Sequence, residues 1–159
     1  MNSEHPLRID GAVEHPLSLS YADLSALPER DQIHDVRRLG AKRSGDAVRL
    51  AALLRMAGET SDTRFITLHA AADDFHASIP LDAVRDKAVV VYRQDGAPLP
   101  VSAGGPYRFF IPDHAACQMA EIDECANVKF VDRIELSRER GFDNRPQDEA
   151  EHAKLHQST

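Results

Sequence analysis

The stretch Asp95-Gly-Ala-Pro-Leu-Pro-Val-Ser-Ala-Gly-Gly-Pro-Tyr-Arg108 decides how the middle of this chain folds. It contains two turn signals, Asp95-Gly96 and Gly104-Gly105, and each is followed closely by a proline. The runs on either side of it, Ala88–Arg93 and Tyr107–Ile111, are rich in β-branched and aromatic residues, which predicts strands. We therefore expect two strands that hold a long glycine- and proline-rich loop between them.

Arg108 stands where the second of these strands begins, at the end of the loop. Glycines let a backbone approach a ligand closely or adopt positive φ, and prolines stiffen the rest of the loop. An arginine next to such a loop is well placed to bind an anion. The alternative is a long hairpin connection with an exposed arginine, because only some loops carry function.

Length, composition and charge limit the class of protein. A chain of 159 residues is expected to form one domain with a substantial core, and 42% hydrophobic with 28% charged residues is typical of globular proteins. A net charge of -7 argues against a general nucleic-acid or membrane-surface binder. The sequence has no apolar run long enough to span a bilayer and no secretory signal at Met1–Pro6, so we expect a cytoplasmic location.

Many short strands and a few short helices are predicted for the rest of the chain. The predicted strands are Leu7–Val13 (an edge strand), Pro16–Leu19, Gln32–Leu39, Arg64–Ala70, Phe75–Ile79 and Val128–Leu136. The predicted helices are Tyr21–Leu27, with Ser20 as N-cap and Asp23 in a capping box, Val48–Ala57, ended by Gly58, and Leu81–Arg85. This pattern indicates an α+β fold that is mainly β, with mixed sheets and short helices.

The charged end of the chain differs in composition from the part before it. We predict a domain over residues 1–142 and a polar C-terminal tail over residues 143–159.

Cysteines, histidines and a basic loop are the other candidates for chemistry. Cys117 and Cys125, with His114, offer three ligands for a zinc-like ion, or the two cysteines are buried small hydrophobic residues. His69 and His76 flank a turn, and pairing of the strands on either side of it would bring the two histidines together. They would then serve as an acid or base, or be ordinary hydrogen-bonded residues. Further candidates are His34 and Asp35, and the basic cluster of Arg37, Arg38, Lys42 and Arg43, which is either a solvated face or a cover over an anion.

Four stretches between residues 7 and 136 have a recognisable order and spacing. They are Leu7-x-Ile-x-Gly-x-Val-x-x-Pro-Leu-x-Leu19 with Asp23-Leu24 and Leu27-Pro28; Gly45–Leu50 with Leu53-Leu54; Asp74–Leu81; and Asp95–Pro100 continued by Gly104–Arg108 and Val128–Glu135. Together they resemble the oxidoreductase molybdopterin-binding domain of the sulfite oxidase family. The resemblance implies an α+β domain that buries a molybdenum cofactor, a pterin with a dithiolene and a phosphate.

The resemblance also implies roles for individual residues. Arg108 and Lys129 match the arginine and lysine that hold the cofactor phosphate, and Gly104 and Gly105 would let the backbone approach the pterin. It implies an oxidoreductase that acts on a small-molecule substrate and passes electrons to a protein partner. The net charge and the lack of a long apolar run predict no nucleic-acid or membrane partner.

This sequence departs from the family pattern at the positions that would contact the metal and the pterin. Residues 33–46, where the family has its molybdenum-ligating cysteine, contain no cysteine; the chain has no tryptophan; and Ala103 replaces a family histidine. Cys117 and Cys125 are therefore the candidate thiolate ligands. Three functions stay open: a molybdopterin-dependent oxidoreductase-like domain, a non-catalytic descendant that binds an anionic ligand or a protein partner, and a small metal-binding protein.

Overall fold

Short runs of β-branched and aromatic residues build two five-stranded sheets in this protein. The structure, a computed structural model, describes residues 6–112 and 128–144. Its strands are β1 Leu7–Gly11, β2 Leu17–Leu19, β3 Gln32–Ile33, β4 Asp46–Arg49, β5 Phe65–Ala70, β6 Phe75–Pro80, β7 Val89–Gln94, β8 Ala97–Pro98, β9 Arg108–Phe110 and β10 Arg133–Ser137. Its α-helices are α1 Tyr21–Ser25, α2 Leu50–Ala57 and α3 Leu81–Val84. The α+β class with mixed sheets and short helices is confirmed.

The first sheet has the strand order β2-β1-β10-β5-β6. β1 and β10 are parallel, with Ile9 opposite Ile134, and the other neighbours are antiparallel. The prediction of an edge strand at the start of the chain is wrong, because β10 returns from the far end of the sequence and covers the open side of β1. Gly11 permits this close approach, since a Cβ there would lie 2.2 Å from the carbonyl oxygen of Leu136.

The second sheet has the order β3-β4-β7-β8, and β9 lies beside β7 on the same side as β8. Alternate residues of a strand face opposite sides of the sheet. Val90 and Phe109 belong to the main core, which this sheet shares with the first one, whereas Val89 and Val91 belong to a second, smaller core on the opposite face. The rest of this smaller core comes from Ile33, Ala47 and Phe110 of the same sheet and from residues of the segments 36–41 and 99–103.

The structure confirms several local predictions and corrects others. Ser20 and Asp23 form the capping box of α1, and Gly58 ends α2 in the left-handed conformation. The predicted strand over 32–39 is wrong beyond Ile33, because Asp35 adopts a φ of 64° and starts a 3₁₀ turn, Val36–Leu39. Val48 and Arg49 belong to β4 rather than to the helix.

The last predicted strand begins later than its sequence pattern indicates. β10 starts at Arg133, and residues 128–131 bond instead to the segment around β9: Phe109 N–H donates to the Val128 carbonyl (2.8 Å) and Val131 N–H to the Tyr107 carbonyl (2.9 Å). Lys129 is thereby placed next to the loop that precedes β9. Among the helices of the described residues, none has the length and apolar character that crossing a bilayer requires.

Candidate functional site

The expected strand–loop–strand unit is present and carries the candidate site. β7 and β9 pair antiparallel, with Val91 opposite Arg108. Between them the chain forms the short strand β8, a 3₁₀ turn over Val101–Ala103, and Gly104 at a φ of 97°. The loop is held by its own backbone, since both Ala103 N–H and Gly105 N–H donate to the Pro100 carbonyl, each at 2.9 Å.

Arg108 is held on the smaller-core face of the second sheet, because it lies directly opposite Val91. Its side chain is half-buried, and the Nε atom is fully buried without a hydrogen-bond partner. Desolvation lowers the pKa of the guanidinium from its ordinary value, and the charge of Arg43 lowers it further. A buried N–H donor without an acceptor is costly, so this arginine is prepared for an acceptor that a ligand can supply.

Gly104 brings the two predicted phosphate-binding side chains together. A Cβ on Gly104 would lie 3.2 Å from Arg108 Cδ and 3.2 Å from Lys129 Cγ, so both aliphatic stems pack against this glycine. Phe130 N–H donates to the Gly104 carbonyl (2.8 Å) and fixes the Lys129 segment there. Three of the four residues predicted for cofactor binding therefore meet at one place.

Gly105 is required by the loop itself. A Cβ on Gly105 would lie 1.9 Å from the Leu99 carbonyl oxygen and 3.0 Å from that of Pro100. The loop backbone thus occupies the space where a side chain of Gly105 would lie. A contact of Gly105 with a pterin stays a prediction.

The structure divides the predicted basic cluster. Arg43 Nη1 donates to the Ser102 carbonyl (2.8 Å), which ties the loop before β4 to the loop before β9. Arg37 instead forms an ion pair with Asp35 at 2.7 Å, and this contact holds the pKa of Asp35 below its usual value. Arg38 donates to the His34 carbonyl (3.3 Å). Arg43 is therefore the member of the cluster that a hydrogen bond ties to the loop before Arg108.

We call Gly104, Arg108, Lys129 and Arg43 the cationic site. Over residues 6–112 and 128–144, no carboxylate forms an ion pair with any of its three cations. Lys129 and Arg43 are exposed, and Arg108 lies deeper. Uncompensated positive charge around a buried N–H donor is an arrangement that can bind an anion such as a phosphate.

The histidine pair forms a separate cluster on the first sheet. His69 lies opposite His76, as the predicted strand pairing requires, and their Nδ1 atoms are 2.8 Å apart. His69 Nε2 also lies 2.9 Å from Glu135 Oε1, a contact with a strand distant in sequence. His34 contacts the carboxylate of Glu29.

The candidate metal site cannot be placed. Within the part of the chain that the structure describes, no group of three His, Cys, Asp or Glu side chains is arranged to hold a metal ion. His114, Cys117 and Cys125 lie outside the described residues, so their role stays a prediction.

The sequence pointed to Gly104, Arg108 and Lys129, but it gave no sign of the contact between Arg43 and Ser102. Those two residues are 59 positions apart, and neither belongs to a strand. A basic residue in a glycine-marked loop was the available signal, and it was shared with Arg37, Arg38 and Lys42.

Comparison with known proteins identifies the relatives of this chain. The chain is 28% identical over 111 residues, 67% of its length and 56% of the relative's, to the uncharacterized oxidoreductase YuiH of Bacillus subtilis (strain 168). Its fold resembles that of the sulfane dehydrogenase SoxCD from Paracoccus pantotrophus, with a TM-score of 0.65 and 20% identity over 88% of this chain and 40% of that one. The chain thus spans about half the length of these two proteins.

A family model described as the oxidoreductase molybdopterin binding domain matches residues 1–144, which is most of the sequence. The match includes both sheets and the whole cationic site. This chain therefore belongs to the oxidoreductase molybdopterin-binding domain family.

Proposed function

We propose that this domain binds a molybdenum cofactor by its phosphate at the cationic site. The observation that carries the proposal is the fully buried Nε of Arg108, which has no hydrogen-bond partner in the described structure. A phosphate oxygen is the acceptor that a guanidinium of this kind matches best, because the planar fork can donate two parallel hydrogen bonds.

The residues of the cationic site fit the phosphate end of such a cofactor. Because Gly104 has no side chain, the stems of Arg108 and Lys129 can both pack against it. Arg108 would supply the directed donors, and Lys129 would add a point charge at the exposed rim. A molybdopterin cofactor, when bound, supplies two-electron redox chemistry and oxygen transfer at its metal. The protein's own part is to hold and orient the phosphate.

Metal ligation is the second part of the proposal. The described residues contain no cysteine, and Cys117 and Cys125 are the two thiols of the chain. We propose one of them as the thiolate ligand of the molybdenum. The reaction partners would be a small-molecule substrate and an electron-transfer protein, and the location would be the cytoplasm.

Metal and pterin analysis of the same protein tests the proposal. The full chain is produced in a host that makes molybdopterin, its metal is measured by mass spectrometry, and its pterin by fluorescence after oxidative extraction. We expect close to one pterin per chain, and at least a tenfold loss in R108Q, because each factor of ten needs only about 1.4 kcal/mol of lost binding. K42Q removes one charge from the neighbouring basic loop and is expected to keep its pterin. Wild-type protein without pterin contradicts the proposal.

A second candidate is a domain that binds an anionic ligand without redox chemistry. The absence of a cysteine from residues 33–46 favours it, because the phosphate-binding side chains are present while the usual metal ligand is missing. The same experiment separates the two candidates. Pterin with equimolar molybdenum supports the oxidoreductase, and pterin or phosphate binding without molybdenum supports the non-catalytic domain.

A further inference from the structure

Within the cationic site, Arg43 is fixed in place although its side chain is exposed. Its Nη1 atom donates to the carbonyl of Ser102, two residues before Gly104. An arginine has five N–H donors, so this contact leaves donors available to a ligand. The tether therefore holds a second guanidinium at the loop that leads to Gly104 and Arg108.

The charges at this place are not balanced by the protein. Arg43 is tied to the loop that leads to Arg108, and its charge adds to the effect of burial in lowering the pKa of Arg108. No carboxylate of the described residues pairs with either of them. Arg37, on the same loop as Arg43, shows the contrast, because Asp35 neutralises it. The uncompensated pair can be neutralised by an anion of matching charge.

We propose that Arg43 makes the cationic site selective for doubly charged anions, such as a phosphate monoester, over singly charged ones, such as a phosphodiester. The inference rests on the proposed phosphate site and names the charge state that the site prefers. A phosphate monoester carries about -1.5 to -2 charges at pH 7 and presents three acceptor oxygens. Coulomb attraction to a fixed cation grows in proportion to the charge of the ligand, so each added cation raises the preference for the dianion.

Titration calorimetry on the full chain with methyl phosphate and dimethyl phosphate, at pH 8 and low salt, tests the inference. Wild-type protein is expected to bind methyl phosphate more tightly. In R43Q the methyl phosphate affinity should fall about tenfold and the dimethyl phosphate affinity only about threefold, because the lost attraction scales with ligand charge. The change in the ratio of the two affinities from wild type to R43Q decides whether Arg43 sets the selectivity.

Two matched variants separate the charge of Arg43 from a general effect. K42Q removes the same charge from the adjacent position, which is also exposed, and should change either affinity by less than about twofold, because Arg43 and not Lys42 is hydrogen-bonded to the loop before β9 among the described residues. R43K keeps the charge and loses the planar fork, so it should retain most of the preference for methyl phosphate.

The outcomes distinguish this inference from the proposed function. If R43Q lowers both affinities by the same factor, or changes no more than K42Q does, the inference is wrong while the phosphate site stands. If the wild-type chain binds neither ligand, or R108Q binds both as wild type does, the proposed phosphate site is itself wrong.

Discussion

Arg108 occupies a position that makes sense for binding rather than for stability. Its Nε is buried without an acceptor, and its charge is disfavoured by burial and by Arg43. Most buried polar groups in folded proteins are hydrogen-bonded, so an exception at a charged residue indicates a function. The protein tolerates this cost next to Gly104, where the stems of Arg108 and Lys129 meet, and Arg43 is tied to the same loop.

Replacing Arg108 should therefore separate stability from binding. We expect R108M to be about 1 kcal/mol more stable than wild type without ligand, because it removes an unsatisfied buried donor and keeps an apolar stem of similar shape. Thermal unfolding without ligand should show a melting temperature about 2–4 °C higher. Added phosphate should raise the melting temperature of wild type and leave that of R108M unchanged. A large fall in the ligand-free melting temperature of R108M would show that Arg108 is a structural residue.

Single residues were predictable where a local rule acts on them. The turn signals and β-branched runs around the loop located Arg108, and they also located the loop glycines. Arg43 was not distinguished from its basic neighbours, because the carbonyl of Ser102 that selects it belongs to a distant loop. Tertiary hydrogen bonds of this kind leave no local trace in the sequence.

The loop before β9 depends on Gly104 for two separate reasons. The residue has a φ of 97°, and a Cβ there would press against Arg108 and Lys129. Gly40 offers a matched control, because its φ is 100° and a Cβ there would have nothing within 4 Å. The two positions share the backbone strain and differ in what surrounds them.

We expect G104A and G40A each to lose about 1–2 kcal/mol of unfolding free energy, the cost of a side chain in the left-handed region. Only G104A should also lose phosphate binding, because its methyl group displaces the two cationic side chains. Chemical denaturation and calorimetry on both variants check this. Equal phosphate affinities in the two variants would contradict a role for Gly104 in the site.

Helices were predictable from the sequence where residues at their own ends start or terminate them. The capping box of Ser20 and Asp23 starts α1, and the left-handed Gly58 ends α2. The segment after Ile33 was misassigned because Asp35 takes a positive φ, which an apolar–polar alternation does not reveal. Here the side chain of Asp35 accepts from Arg37 N–H and stabilises a turn in place of a strand.

At the scale of the molecule, the order of strands could not be derived from the pattern. The parallel pairing of β1 with β10 joins residues more than 120 positions apart, as the contact of Arg133 Nε with Asp10 Oδ1 (2.9 Å) illustrates. Such pairing depends on the whole chain being folded. The resemblance to a family supplied what local patterns did not, since it implied the fold as a unit.

Asp143 and Asn144 contact residues that are distant from them in sequence. β6 is the last strand of the first sheet among the described residues, so its outer N–H groups need partners. Asp143 Oδ2 accepts from Ser78 N–H (2.9 Å), and Asn144 Oδ1 accepts from His76 N–H (2.9 Å). Asn144 also donates to the carbonyls of His76 (3.0 Å) and Asp74 (2.7 Å).

These contacts predict that the stable domain extends to Asn144, whereas a boundary after residue 142 would place Asp143 and Asn144 in the tail. A chain that ends at Phe142 should unfold with about 2 kcal/mol less free energy than one that ends at Asn144, because four hydrogen bonds of about 0.5–1.5 kcal/mol each are partly replaced by water. Both chains lack residues 145–159, so their melting temperatures differ only through the last two residues. N144A in the full chain should lose part of the same free energy. Equal melting temperatures for the two truncated chains would support the boundary after residue 142. They would also show that the contacts with β6 do not stabilise the domain.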